Sequence, residues 1–343
     1  MVQRGECAIF DKWQRAKYAI EAGADLVIEL PTYYVLQSAD IFASGAIEIF
    51  DKLNIIDAIS FGSECGNVNM LSSVAEIMET KEYNNEIKEL LNSGLSYPKA
   101  SEQTLIKCLP TTDKKLFKPN NTLGICYIKA LKRLNSNITP LSIKRDNDYH
   151  TDKTNDGFLS ATQIRKMIDN NEEYFKYAYN YSNENTFNLK NAESYILGAL
   201  RNTPINKFKT IKGYEDGLGE LIYNSAKKAC TTDELFEMCV SKRYTLHRIK
   251  RYVMALLLDI SYDAKPEYIR ILAMSEKGGR LIKKIREKSK LDIITKLADY
   301  KKDNLMLKTD IASTDLTSLC ANNTDLRYSG KDYTTSPYVK KGM

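Results

Sequence analysis

Apolar and polar positions change their spacing repeatedly along the first half of the chain. From Trp13 to Ala22 the apolar residues recur at helical intervals until Gly23 ends the pattern. Ala24 to Leu30 (ADLVIEL) is a short apolar run broken by Pro31, the pattern of a buried strand. Ser38 to Leu53 predicts a second helix, with Ile41, Phe42, Ala46, Ile49 and Phe50 in one stripe. Asp57 to Phe61 predicts a strand running into Gly62-Ser63-Glu64, Leu123 to Leu134 a helix, and Ile138 to Ile143 a further strand. Helices set between short apolar strands predict a parallel α/β sheet, with ligands at the carboxyl ends of its strands.

The stretch Glu172 to Leu189 is polar, rich in Tyr and Asn and poorly periodic, which predicts a connection over 172–189 between a first domain, 1–171, and a second, 190–343. Beyond it the spacing is mostly helical. Leu246, Ile249, Val253 and Leu256 form one stripe and Leu281, Ile282 and Ile285 another, while Pro266 to Met274 leaves room for one short strand. The fold class expected is therefore an α/β domain followed by a mainly α-helical one.

Composition narrows the function. No apolar run approaches the ~18 residues of a membrane span, and the start, Met-Val-Gln-Arg-Gly-Glu, has no apolar signal region. Seven cysteines without a Cys-x-x-Cys pair, in a chain of 343 residues, predict reduced thiols and a cytoplasmic protein. With only His150 and His247, a His-rich metal site is excluded. The formal charge is +6, yet Ser241 to Lys290 alone holds 14 basic against 5 acidic side chains. A positive field confined to one segment faces either a polyanion or only solvent. Arg243 to Arg251 (RYTLHRIKR) joins helical periodicity to dense charge, so Arg243, Arg248, Lys250, Arg251, Lys283 and Lys284 are candidate contacts to RNA phosphates.

The strongest local motif in the front half is Ser160-Ala161-Thr162-Gln163-Ile164-Arg165 at the start of a predicted helix. Ser160 or Thr162 can cap the first turn, free amides there attract an anion, and Arg165 adds a fork of donors. Gly62 follows a strand, where the missing side chain admits a nucleotide close to the backbone. In Pro119-Asn120-Asn121-Thr122 an asparagine either caps a helix or reads a base edge, and Arg145 ends another strand, placed to hold phosphate or stack on a base. Asp25 and Glu29 stand out inside an apolar strand; Asp25 reads as structural and Glu29 as facing a cleft. Gln3-Arg4-Gly5-Glu6 and Asp11-Lys12-Trp13 read as a site or as a solvated entry to the first helix.

Taken in order, QRGECAIFDKWQRAKYAIEAGADLVIELP, SADIFASGAIEI, FGSE, PNNTLGICYIKAL, SATQIRK and RYTLHRIKRYVMALLLDI resemble the tRNA(Met) cytidine acetate ligase family. The resemblance implies a Rossmann-like nucleotidyltransferase domain of the HxGH superfamily, a helical part that helps to bind tRNA, and ATP as cosubstrate, with Mg²⁺ accompanying it. It implies that acetyl-adenylate forms with release of pyrophosphate, and that the acetyl group passes to N4 of the wobble cytidine of elongator tRNA(Met). Gly62, one of Asn120 and Asn121, and Arg145 match the family's ATP-binding positions. The run 160–165 resembles the superfamily's Ile-Ser-Ser-Thr-x-x-Arg phosphate motif, with Leu159 and Ala161 as departures. Family members open on a strand and an Asn-Pro-Phe-His-Asn-Gly-His turn that nothing here matches, so the expectation is a first βα unit missing and a start roughly 40 residues late. Losing one preorganised donor of such a turn costs ~10²–10³ in rate, so a chain truly lacking it is expected to be an impaired enzyme. Two rival readings stay open: a nucleotidyltransferase acting on a small phosphorylated metabolite, and a non-catalytic RNA-binding protein.

Overall fold

The computed structural model describes residues 1–109, 114–145, 159, 161–170, 172–174, 177 and 185–341. In chain order the elements are α1 (Lys12–Glu21), β1 (Leu26–Glu29), α2 (Thr32–Val35), α3 (Ala39–Leu53), β2 (Ala58–Ser63), α4 (Val68–Met78), α5 (Lys81–Asn92), α6 (Tyr97–Cys108), α7 (Pro119–Arg133), β3 (Thr139–Lys144) and α8 (Ala161–Asp169). They continue with α9 (Glu193–Asn202), α10 (Ile205–Phe208), α11 (Leu218–Lys228), α12 (Thr232–Cys239), α13 (Leu246–Leu257), β4 (Tyr268–Ser275), α14 (Glu276–Lys288), β5 (Asp292–Ile294), α15 (Leu305–Leu319), α16 (Lys331–Thr334) and β6 (Tyr338–Lys340). The fold is mixed α/β, as the spacing of apolar residues requires.

Two compact units divide it, one of residues 1–55 with 185–343 and the other of residues 56–184. The sequence reading keeps 1–171 together, whereas contacts group the first helices and β1 with the C-terminal half. The physical reason is strand pairing across some 240 residues: β1 pairs antiparallel with β4, Leu26 opposite Met274 and Glu29 opposite Arg270. β4 also takes β5 and β6 as parallel neighbours, so it is the centre of a four-stranded sheet rather than an isolated short strand. Its first six residues are all buried, and α1 covers one face through Ala16 and Ile20 against Leu272 and Ala273. The helices α9 to α13 and α15 supply the main core of this unit around Ile196, Leu200, Ile222, Ile249 and Val253, each fully buried. Removing that apolar surface from water is the dominant stabilising term.

In the second unit β2 and β3 form a two-stranded parallel sheet in register from Ala58–Thr139 to Ser63–Lys144. Its core lies under Leu71, Val74, Ala75, Tyr83, Ile125 and Ile128, where α4, α5 and α7 meet. Leu141 and Ile143 of β3 are 49% and 65% exposed, so one side of this strand presents apolar surface.

Candidate functional site

The parallel register brings the carboxyl ends of β2 and β3 together, and most of the front-half candidates stand there. Gly62 lies opposite Ile143 and Ser63 opposite Lys144. The amide of Arg145 donates to the Ser63 carbonyl at 2.9 Å, which carries the pairing one residue past the strand. An added Cβ at Gly62 would meet Arg145 Cγ at 3.2 Å and Cδ at 3.3 Å, so the absent side chain lets the arginine lie across the strand tip. The Arg145 residue is exposed, leaving its cation accessible. Beneath it Ser63 is fully buried, its hydroxyl 2.5 Å from that of Ser142 and accepting the Gly66 amide at 2.9 Å.

Glu64 is the residue whose role the sequence reading missed. Its carboxylate accepts the Asn121 amide at 2.8 Å, the Asn120 side-chain amide at 2.8 Å and the Asn120 backbone amide at 3.2 Å. It therefore supplies from another element the cap that α7 lacks, since Lys118 at its start makes no side-chain cap bond. A negative charge at a helix start is favoured by the macrodipole and by the free amides there. The two asparagines separate: Asn121 is fully buried and its side-chain oxygen accepts the Cys65 amide at 3.2 Å, whereas Asn120 is only half-buried. Asn121 thus ties α7 to the end of β2, and Asn120 is the one nearer solvent.

Thr162 and Arg165 are half-buried on α8. Ser160 and His150 lie outside the described residues, so the cap expected of Ser160 falls there too.

The basic candidates of the rear half prove to be of two kinds. On α13, Arg248 and the preceding Arg243 share one acid: their guanidinium groups stand 2.6 and 3.0 Å from Glu215, and both lie over the Tyr244 ring. Burial alone would raise the Glu215 carboxyl, but the two arginines outweigh it and hold the group below its ordinary range. Lys250 pairs with Glu6 at 2.5 Å, and Arg251, half-buried, donates to the Gln3 carbonyl at 3.2 Å. The segment Gln3-Arg4-Gly5-Glu6 is therefore a partner of α13 rather than a solvated entry. Gly5 has φ +74° and an added Cβ would stand 2.4 Å from the Arg251 amide nitrogen, so only glycine fits this contact. On α14, by contrast, Lys283 and Lys284 are exposed and make no ion pair among the described residues.

Asp25 and Glu29 resolve as different cases. Asp25 accepts from the Ser275 hydroxyl at 2.9 Å and pairs with Lys277 at 2.8 Å, a structural role. Glu29 joins a buried network: Lys12 lies 2.8 Å from it and 2.8 Å from Asp332, and Arg270 lies 2.5 Å from Asp332. Burial would lower the Arg270 pKa, but Glu29 and Asp332 raise it above its ordinary value. Nearby, Asp310 accepts the Tyr268 hydroxyl at 2.5 Å and the Thr32 amide at 2.6 Å, while burial and the charge of Glu29 push its carboxyl up to about 7.

Comparison with known proteins gives a consistent result. Residues 1–332 match the family described as HIGH Nucleotidyl Transferase. A tRNA(Met) cytidine acetate ligase of Caldanaerobacter subterraneus subsp. tengcongensis is 39% identical over 350 residues, covering 94% of this chain and 86% of that protein. One of the same name from Thermoanaerobacter sp. is 38% identical over 99% of this chain and 90% of the relative. The crystal structure of Thermotoga maritima TmcAL bound with alpha-thio ATP superposes with a TM-score of 0.88 at 26% identity, covering all of this chain and 90% of that one.

Proposed function

The chain belongs to the tRNA(Met) cytidine acetate ligase family, and on that premise we propose that it activates acetate with ATP and acetylates N4 of the wobble cytidine of elongator tRNA(Met). The observation that carries the reading within the structure is the gathering of Gly62, Asn120 and the exposed Arg145 at the tips of two parallel strands. That is where open α/β sheets take nucleotides. A Thermotoga maritima neighbour of the same fold was crystallised with an ATP analogue, which supports ATP as the ligand of this site.

In this account Gly62 lets the nucleotide approach the backbone and Asn120, the asparagine nearer solvent, meets it. Arg145 offsets charge on the phosphates, with Thr162, Arg165 and Ser160 as further phosphate contacts. An acetate oxygen attacks the α-phosphorus and the bond to the β-phosphate oxygen breaks, releasing pyrophosphate. The cytidine N4 nitrogen then attacks the acetyl carbon, loses a proton, and AMP leaves with the electron pair of the broken anhydride bond. No covalent enzyme intermediate is needed; the protein aligns the reactants and stabilises developing charge. Among the described residues no group of three or more His, Cys, Asp or Glu side chains could hold a metal ion. Glu64, which directly follows the end of β2, is committed to helix amides, so Mg²⁺ would arrive with the nucleotide.

The tRNA is assigned to the basic rear helices, with Lys283 and Lys284 the freest contacts and Arg243, Arg248, Lys250 and Arg251 a second, internally paired set. Among the described residues no helix is long and apolar enough to cross a membrane; the seven cysteines are free thiols, which supports a cytoplasmic site of action.

Calorimetric titration with ATP tests the assignment. A hydrogen bond to a charged group contributes about 1.5–3 kcal/mol, so Arg145→Ala is expected to weaken ATP at least tenfold, about 1.4 kcal/mol. Because Arg145 is exposed, the melting temperature should not move. Unchanged affinity would place the nucleotide elsewhere.

A further inference from the structure

The turn after β2 is held from several sides. Ser63, fully buried, accepts the Gly66 amide at 2.9 Å, and the Cys65 amide donates to the Asn121 side-chain oxygen at 3.2 Å. Gly66 has φ +64°, and a Cβ there would stand 2.6 Å from that of Lys144, so the turn closes against β3. Glu64, half-buried in the middle of this turn, is thereby aimed at the start of α7. All these groups belong to the unit of residues 56–184, so their geometry is set within it.

The Asn120 side chain takes its orientation from that carboxylate. An ionised carboxylate only accepts, so the group 2.8 Å from Glu64 Oε1 is the NH₂ end of the Asn120 amide, and the oxygen is the end turned away. Glu64 also accepts the backbone amides of Asn120 and Asn121, at 3.2 and 2.8 Å. The start of α7 therefore already holds a negative charge, and a phosphate placed there would meet repulsion. The uncharged part of a nucleotide fits beside Asn120, with its phosphates toward the exposed Arg145. A ribose hydroxyl both donates and accepts, so it would gain nothing from an amide held one way round. A base edge does: adenine carries the N6 amino donor where guanine carries the O6 acceptor.

We propose that Glu64 is a positioning residue that holds the Asn120 amide one way round, and that the Asn120 oxygen thereby selects adenine over guanine by accepting from the N6 amino group. The proposal rests on the reading of the strand tips as the ATP site and names the residues that give that site its base specificity.

Calorimetric titration with ATP, GTP and purine riboside 5′-triphosphate, which lacks the amino group, tests it. The parent is expected to bind ATP at least about threefold more tightly than purine riboside triphosphate and at least about tenfold more tightly than GTP, because each analogue leaves the acceptor unsatisfied. Asn120→Ala should bring the three affinities within about twofold of one another. In Glu64→Gln the Asn121 backbone amide, which can only donate, takes the glutamine oxygen, so the glutamine NH₂ faces Asn120. The Asn120 amide is then free to reverse, and the ratio of ATP to GTP affinity should fall at least about fivefold. The urea midpoint of Glu64→Gln should stay above that of Glu64→Ala, since one acceptor remains. A parent that binds purine riboside triphosphate as tightly as ATP would overturn the proposal, and so would an Asn120→Ala or Glu64→Gln protein that keeps the parent's ratios. Arg145→Ala should weaken all three nucleotides alike and leave their ratios unchanged. An Arg145→Ala protein that binds ATP as the parent does would instead fault the ATP-site reading itself.

Discussion

Neutralising the two basic helices separately should give different salt dependences for tRNA binding. On α14, Lys283 and Lys284 are exposed and free of ion pairs among the described residues, so both charges are available to phosphate. At α13, Arg248 and the preceding Arg243 share Glu215, three charged groups carrying one net charge, and Arg251 is half-buried on the Gln3 carbonyl. A phosphate contact contributes about 0.9 to the slope of log affinity against log salt, or roughly 3.5-fold between 50 and 200 mM. Lys283→Gln with Lys284→Gln should therefore flatten the slope by about 1.8, shrinking the affinity change over that range roughly 12-fold. Arg248→Gln with Arg251→Gln should remove less than about one unit of slope. Fluorescence anisotropy of labelled tRNA at several KCl concentrations measures both. Equal slopes in all three proteins would make these faces merely solvated, and a larger loss on α13 would contradict the reasoning from internal pairing.

Two further outcomes follow from single groups. Glu64→Ala removes the acceptor of two backbone amides at the start of α7 and should cost about 1–3 kcal/mol of stability, seen as a lower urea midpoint; an unmoved midpoint would deny the cap. The folded-state pKa of Asp310, about 7, lies above its ordinary 3.8, so folding favours the protonated form. Its contribution is fully present below about pH 4 and is lost as pH rises through 7. Asp310→Asn should flatten stability against pH between 4 and 7, and an identical profile would remove Asp310 as the cause.

Much of the architecture was legible because burial repeats at short range. ADLVIEL and DAISF carry the apolar runs of β1 and β2, and the run 38–53 is helix α3, although of the expected stripe only Ile49 is buried and Ile41 is exposed, the buried positions being Ala43, Gly45, Ile47, Ile49 and Leu53. β4 was harder to see as a central strand because Arg270 interrupts its apolar run. That guanidinium is tolerated inside the sheet only because Asp332 and Glu29, distant in sequence, lie beside it. The pairing of β1 with β4, which moves the first 55 residues into the rear unit, leaves no local trace at all. At the strand tips, the glycine and arginine were readable from their positions after apolar runs. The role of Glu64 was not, since it acts on amides 56 and 57 residues away. The excess charge of 241–290 was visible as composition, but which cations are internally paired depends on Glu6 and Glu215, outside that segment.

Activation of acetate by ATP is followed by exchange of labelled pyrophosphate into ATP with and without acetate. Exchange should rise with acetate and fall in Arg145→Ala, the ratio with and without acetate being the readout. Exchange indifferent to acetate, or none at all where ATP binds, would contradict it.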